Sequence, residues 1–167
     1  CAELHQRALT VQGEVLLARG LPSEARQALQ QALELGESEL VPEIRARLGM
    51  ALVDLDHAET GLSELQAALD TLTDDSPVRF AVMRSVADAL SAQGRVEEAA
   101  HTWENALQGA RADGNEAREG SCLLGLGELE LATGNLLKAV RALELAEPRL
   151  RRARQVRPLA VCLTALA

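Results

Sequence analysis

Alanine and glycine recur in register along this chain, and that spacing narrows the possible folds more than any other feature. The pairs Ala32-Leu33, Ala68-Leu69 and Ala106-Leu107, followed by Ala146, lie 36, 38 and 40 residues apart. Seven residues before each alanine stand Ala25, Gly61, Ala99 and Ala139, and twelve before those stand Gly13, Gly49, Ala87 and Gly127. Large apolar residues interleave with them: Leu29, Leu65, Trp103 and Leu143 in one column, Leu16, Leu52 and Leu90 in another, where Glu130 is the exception. A period near 38 residues means a supersecondary unit repeated and stacked on its neighbours.

Each unit reads as two helices. Apolar residues keep i, i+3, i+4 spacing from Leu4 to Ala18 and again from Pro22 to Leu35. Gly20, Gly94 and Gly134 fall at the turn between them, where a left-handed residue ends a helix. The second unit carries Asp56 there, and with Glu59 it has the spacing of a capping box. Asn135 is placed as an N-cap. Links between units are marked by Gly36, by Asp74-Asp75-Ser76-Pro77 and by Asp113-Gly114-Asn115. Pro22, Pro42 and Pro77 suit the first turn of a helix, which has no use for the missing N–H. The expected organisation is one array of four hairpins, at about residues 3–36, 39–73, 77–112 and 115–150, with a further partial helix over 158–167. The small columns mark where two helices cross at closest approach. The fold class is therefore all-α, a solenoid of helix-turn-helix units.

Composition agrees. The 167 residues include 31 leucines and 29 alanines, no tyrosine, and only Phe80 and Trp103 as aromatics. A β-sandwich or barrel needs β-branched and aromatic residues instead. The net charge of −8 opposes nucleic-acid binding over the whole surface, although residues 147–157 hold five arginines and one acid. The odd, sparse set Cys1, Cys122 and Cys162 has no metal-ligand spacing and fits a reducing compartment, so a cytoplasmic location is expected. No membrane-spanning run occurs in the sequence. Cys1 leads straight into helical sequence, which reads as a chain beginning partway through a longer one rather than as a lipid-anchored terminus.

Leu48-Gly49, Leu52, Gly61, Leu65 and Ala68 resemble the tetratricopeptide repeat pattern, as do Leu126-Gly127, Ala139, Leu143 and Ala146. The third unit shows Val86-Ala87, Leu90, Ala99, Trp103 and Ala106, and the first shows Gly13, Leu16, Ala25, Leu29 and Ala32. Leucine replaces nearly every aromatic of the family, Gln12 stands where leucine is usual, and Glu37, Thr73, Arg111 and Arg151 replace the closing proline. The long units are similar to a bacterial branch found in multidomain transcriptional regulators. The resemblance implies a right-handed solenoid whose first helices line a concave groove, acting as a non-catalytic scaffold or adaptor within a larger bacterial protein. The alternative is a ligand- or peptide-sensing domain of a transcriptional regulator.

No catalytic, cofactor or metal constellation is present in the sequence. His5, His57 and His101 lack metal-binding context, and Gly125-Leu126-Gly127 follows no strand. On the resemblance, the partner groove comprises Glu14, Leu17, Met50, Val53, Arg84, Asp88, Leu124, Glu128 and Leu131, with Thr10, Ala46 and Ser91 in the same columns. An apolar floor with three carboxylates and one arginine calls for a protein or peptide partner, basic or amphipathic, and not for nucleic acid or membrane. The Arg149–Arg157 run reads as a solvated face, with anion binding as the weaker reading. Residues 158–167 carry no charge, which suggests continuation of the array or self-association through that end.

Overall fold

The computed structural model describes residues 2–166. Cys1, and with it the reading of where the chain begins, lies outside the described residues, as does Ala167 at the end of the expected last helix. Nine α-helices and no strand occur among the described residues: α1 (Ala2–Ala18), α2 (Pro22–Glu34), α3 (Val41–Asp54), α4 (Ala58–Leu69), α5 (Arg79–Ala92), α6 (Val96–Ala112), α7 (Glu116–Ala132), α8 (Leu136–Arg152) and α9 (Val156–Leu166). They form two compact units, Cys1–Ala89 and Leu90–Ala167, which divide within α5.

In the first unit α1 packs on α2, α2 on α3 and α3 on α4. Its core gathers Leu9, Leu29, Ile44, Leu48 and Leu52 around Ala25, Ala32 and Ala51. The repeat columns have a direct physical meaning here. A Cβ placed on Gly13 would lie 2.6 Å from Leu29 Cγ, and one on Gly49 would lie 2.7 Å from Leu65 Cγ. The large residue of each second helix is seated on the small residue of its first helix, so that burial of the leucine requires the missing side chain. In the second unit α6, α7, α8 and α9 pack in succession. Leu143 sits on Gly127 in the same way, at 2.8 Å, while Trp103 of α6 rests on Gly125 of α7.

The ends of α1, α3, α5 and α7 follow one geometry. The N–H groups of Leu21, His57, Arg95 and Asn135 close back onto the carbonyls of Leu16, Leu52, Leu90 and Glu130 at 2.8–2.9 Å. The preceding residues are left-handed: Gly20 (φ 72°), Asp56 (63°), Gly94 (72°) and Gly134 (80°). This is the Schellman closure. It also ends α6 at Gly114 (63°) and α8 at Arg154 (55°).

Four local expectations are corrected. Asp56 is the left-handed residue that closes α3, and His57 takes the N-cap position of α4 without a side-chain bond. The turn closure needs a positive φ there, which Asp tolerates, and this removes it from capping duty. Asn135 occupies the N-cap position of α8, but its amide donates to Thr133 Oγ1. The capping asparagine is Asn115, whose Oδ1 accepts from the Arg118 N–H at 3.1 Å. Pro77 precedes α5 rather than lying in its first turn, and α9 begins at Val156, two residues before Pro158. Pro148 lies inside α8, whose buried face of Ala139, Leu143, Ala146 and Leu150 holds the helix across the missing N–H.

Candidate functional site

Six of the nine groove candidates belong to the first unit, and five of them come together. Leu17 of α1, Met50 and Val53 of α3, and Arg84 and Asp88 of α5 line a cleft of about 270 Å³, completed by Asp54 and Ser85. Three first helices supply its walls because each projects residues 3–4 apart to one side of its buried stripe. Leu17, Met50 and Val53 are half-buried and form the apolar floor, whereas Arg84 and Asp88 stand exposed at the rim.

The rim carries two carboxylates and one guanidinium. Burial of its carboxyl group in the cleft holds the Asp88 pKa above the ordinary 3.8, with the Arg84 charge acting the other way. Glu14 is not available as a bare charge. It pairs with Arg47 at 3.0 Å, and Arg47, largely buried, also holds Glu43 at 3.2 Å. The carboxylate column is thus partly neutralised from α3.

In the second unit Glu128 is exposed and Leu131 half-buried, but Leu124 is 7% exposed and belongs to the core. Its column is buried in the first unit too: Ala46 is 0% and Thr10 5% exposed, the Thr10 hydroxyl donating to the Gln6 carbonyl. A position four residues before the carboxylate column turns inward wherever the residue is small or apolar. Arg84 alone stands out, because a guanidinium must reach water. Sequence reasoning missed Asp54 and Ser85. Each directly follows a residue already assigned to the groove, Val53 and Arg84, and widening the face by one residue would have found both.

Three of the five arginines in the run are held in ion pairs. Arg149 and Arg152 of α8 hold Glu119 and Glu116 of α7 at 2.9 Å each, Arg111 also reaches Glu119 at 3.2 Å, and Arg151 pairs with Glu147. These guanidinium groups keep the Glu116 and Glu119 carboxyls below their ordinary range, through the Arg152 hydrogen bond and the Arg149 hydrogen bond respectively. Burial, reinforced by nearby Glu119, pushes the Cys122 thiol up to about 12, and burial raises Cys162, whose Sγ donates to the Leu143 carbonyl. Among the described residues no three His, Cys, Asp or Glu side chains could hold a metal ion together. No helix among them is long and apolar enough to cross a membrane.

Residues 46–117 match the tetratricopeptide repeat family model. Tetratricopeptide repeats are thus shown over residues 46–117. Solved structures agree on the fold. BtubC (BKLC) of P. vanneervenii is 21% identical, with a TM-score of 0.80 over 93% of this chain and 66% of that one. The apo form of RapI is 17% identical, with a TM-score of 0.82 over 99% of this chain and 48% of that one. YrrB, described as a TPR protein with an unusual peptide-binding site, is 20% identical, with a TM-score of 0.68 over 92% of this chain and 70% of that one. This chain therefore spans less than two thirds of the length of the first two. Comparison with curated proteins found no match.

Proposed function

We propose that this tetratricopeptide chain is a non-catalytic protein-interaction module that grips a peptide segment of its partner at the first-helix cleft. The observation that carries the reading is the cleft itself, with Leu17, Met50 and Val53 below and Asp54, Arg84 and Asp88 at the rim. The floor suits one aliphatic side chain. The surplus carboxylate suits a lysine, an arginine or backbone amides beside it, so the favoured partner is basic or amphipathic. The cleft of about 270 Å³ opens to solvent rather than enclosing its occupant, which favours an inserted side chain over small-molecule sensing. The peptide-binding description of the YrrB structure lends support, as a likeness of fold.

Peptides selected from a displayed library on the wild-type chain provide the test. They should be rich in basic and aliphatic residues, and Met50→Glu should weaken them by about tenfold or more. Selection of peptides indifferent to both Met50→Glu and Asp88→Arg would overturn the reading.

A further inference from the structure

Helix α8 departs from the other second helices on the side that stacking leaves open in this array. Its buried stripe runs through Ala139, Leu143, Ala146 and Leu150. Half a turn away stand Leu137, Arg141, Glu144 and Pro148, spaced 4, 3 and 4 residues apart along one outward line. The matching residues of α6 are Glu97, His101, Glu104 and Gln108, all polar and all exposed although α7 and α8 follow in the same unit. In α2 the line runs from Ser23 through Gln27 and Gln30 to Glu34, likewise polar and exposed with α3 and α4 following. A further hairpin after α9 would therefore leave the outward line of α8 uncovered as well.

On that line α8 carries apolar residues at both ends and opposite charges between them. Leu137 is 80% exposed and Pro148 half-buried, while Leu145 at the flank is 49% exposed where α6 has Asn105. Arg141 and Glu144 are exposed and make no ion pair among the described residues. The order apolar, basic, acidic, apolar becomes apolar, acidic, basic, apolar in reverse. Two copies of α8 laid antiparallel about a two-fold axis between residues 142 and 143 thus set each Arg141 against a Glu144, and each Leu137 beside a Pro148. The 4-3-4 spacing is that of a helix-pair seam, and such a self-complementary patch is what an isologous interface requires.

We propose that the outward face of α8 is a self-association surface, on which α8 of a second copy of this chain lies antiparallel with Arg141 and Glu144 paired reciprocally. The charge order selects the occupant, because a second copy carries the reversed order by symmetry. The face belongs to the second unit and shares no residue with the first-helix cleft. A single helix pair buries about 1,000 Å² or less in total, which makes the dimer weak and concentration-dependent.

Sedimentation equilibrium over a concentration series reads the association, with circular dichroism to check that each variant keeps its helix content. Arg141→Glu and Glu144→Arg should each weaken the wild-type dimer by about tenfold or more, since each places like charges opposite one another twice. An equimolar mixture of the two single variants should associate again as a heterodimer. The double variant Arg141→Glu/Glu144→Arg should recover the homodimer. Leu137→Asp should weaken association in every one of these backgrounds. A wild-type chain that stays monomeric at the highest concentration reached would overturn the proposal and leave the face to another protein. A dimer indifferent to both single charge changes would overturn it too, as would single variants that weaken the dimer and fail to restore it on mixing.

Discussion

The backbones of Gly49 in α3 and Gly61 in α4 touch: a Cβ on Gly49 would fall 2.8 Å from the Gly61 carbonyl oxygen, and one on Gly61 would fall 2.9 Å from the Gly49 carbonyl oxygen. Neither oxygen can swing away, because both belong to helical backbone. Gly49→Ala or Gly61→Ala should therefore destabilise the chain by about 1–3 kcal/mol through overpacking, outweighing the gain of about 1 kcal/mol in helix propensity. Gly109 is the control. It lies exposed within α6, where an added Cβ would meet no atom within 4 Å, and Gly109→Ala should stabilise by about 0.5–1 kcal/mol. Urea unfolding of the three variants gives the comparison.

Among the described residues, two left-handed positions are not glycine. Arg154 at φ 55° should respond to Arg154→Gly with a gain of about 1 kcal/mol, and Asp56 at φ 63° with a smaller one, since Asp tolerates this region better. Gly94→Ala, at φ 72° with open space around it, should cost about 1 kcal/mol from the backbone alone. Thermal unfolding of all three would show the opposite signs.

The Cys122 thiol, held at about 12 against an ordinary 9.0, should resist alkylation at pH 8 in the folded state. Peptide mass mapping after treatment with iodoacetamide should find Cys122 modified only when denaturant is present. A folded pKa above the unfolded one means that the native state keeps its proton longer. The associated stability is complete below pH 9 and is lost as pH rises towards 12.

Glu119 works in the other direction. Its carboxyl is lowered by Arg149 and Arg111, so that its contribution is present above the ordinary 4.5 and fades as pH falls below it. Glu119→Gln should flatten the acid limb of stability between pH 3 and 5, an interval of about the ordinary carboxylate range. At neutral pH it should cost no more than about 1 kcal/mol, as expected for pairs near the surface. A double-mutant cycle with Arg149→Gln would isolate the pair.

Asp88 carries the reverse sign among the acids. Burial raises its pKa, so ionisation at neutral pH works against folding, and the stability linked to its proton is lost as pH rises through the folded pKa. Asp88→Asn should leave the melting temperature at pH 7 unchanged or higher. A clear decrease would mean that Arg84 outweighs burial.

The paired columns of small and large residues make the hairpins legible in the sequence alone, since Gly13, Gly49 and Gly127 meet Leu29, Leu65 and Leu143 as the spacing implies. What stays hidden lies between elements. Nothing in the spacing of Glu14 and Arg47 announces that they meet, since 33 residues separate them. The same holds for Glu116 and Arg152, whose pairing empties the basic run of most of its free charge. Leu124 escapes a reading by column because its column alternates between core and rim according to the residue that fills it. Asp56 escapes for a different reason. The spacing of a capping box and the left-handed closure of the preceding helix both ask for a small polar residue at a helix junction, and only the backbone angle separates them.

The Schellman closures at Gly114 and Arg154 bound a segment that begins and ends on the same bend. Asn115 N–H reaches the Ala110 carbonyl and Gln155 N–H reaches the Leu150 carbonyl, both at 2.9 Å, and three residues link the helices in each case. Residues 115–154 are thus a forty-residue cassette with interchangeable joints. A tandem duplication of that stretch would re-enter its own first turn in phase, and the Cys162 pocket would be rebuilt one step further on. Growth by whole-unit copying needs no new loop chemistry in such a chain, so the number of hairpins is free to drift while the joints stay constant.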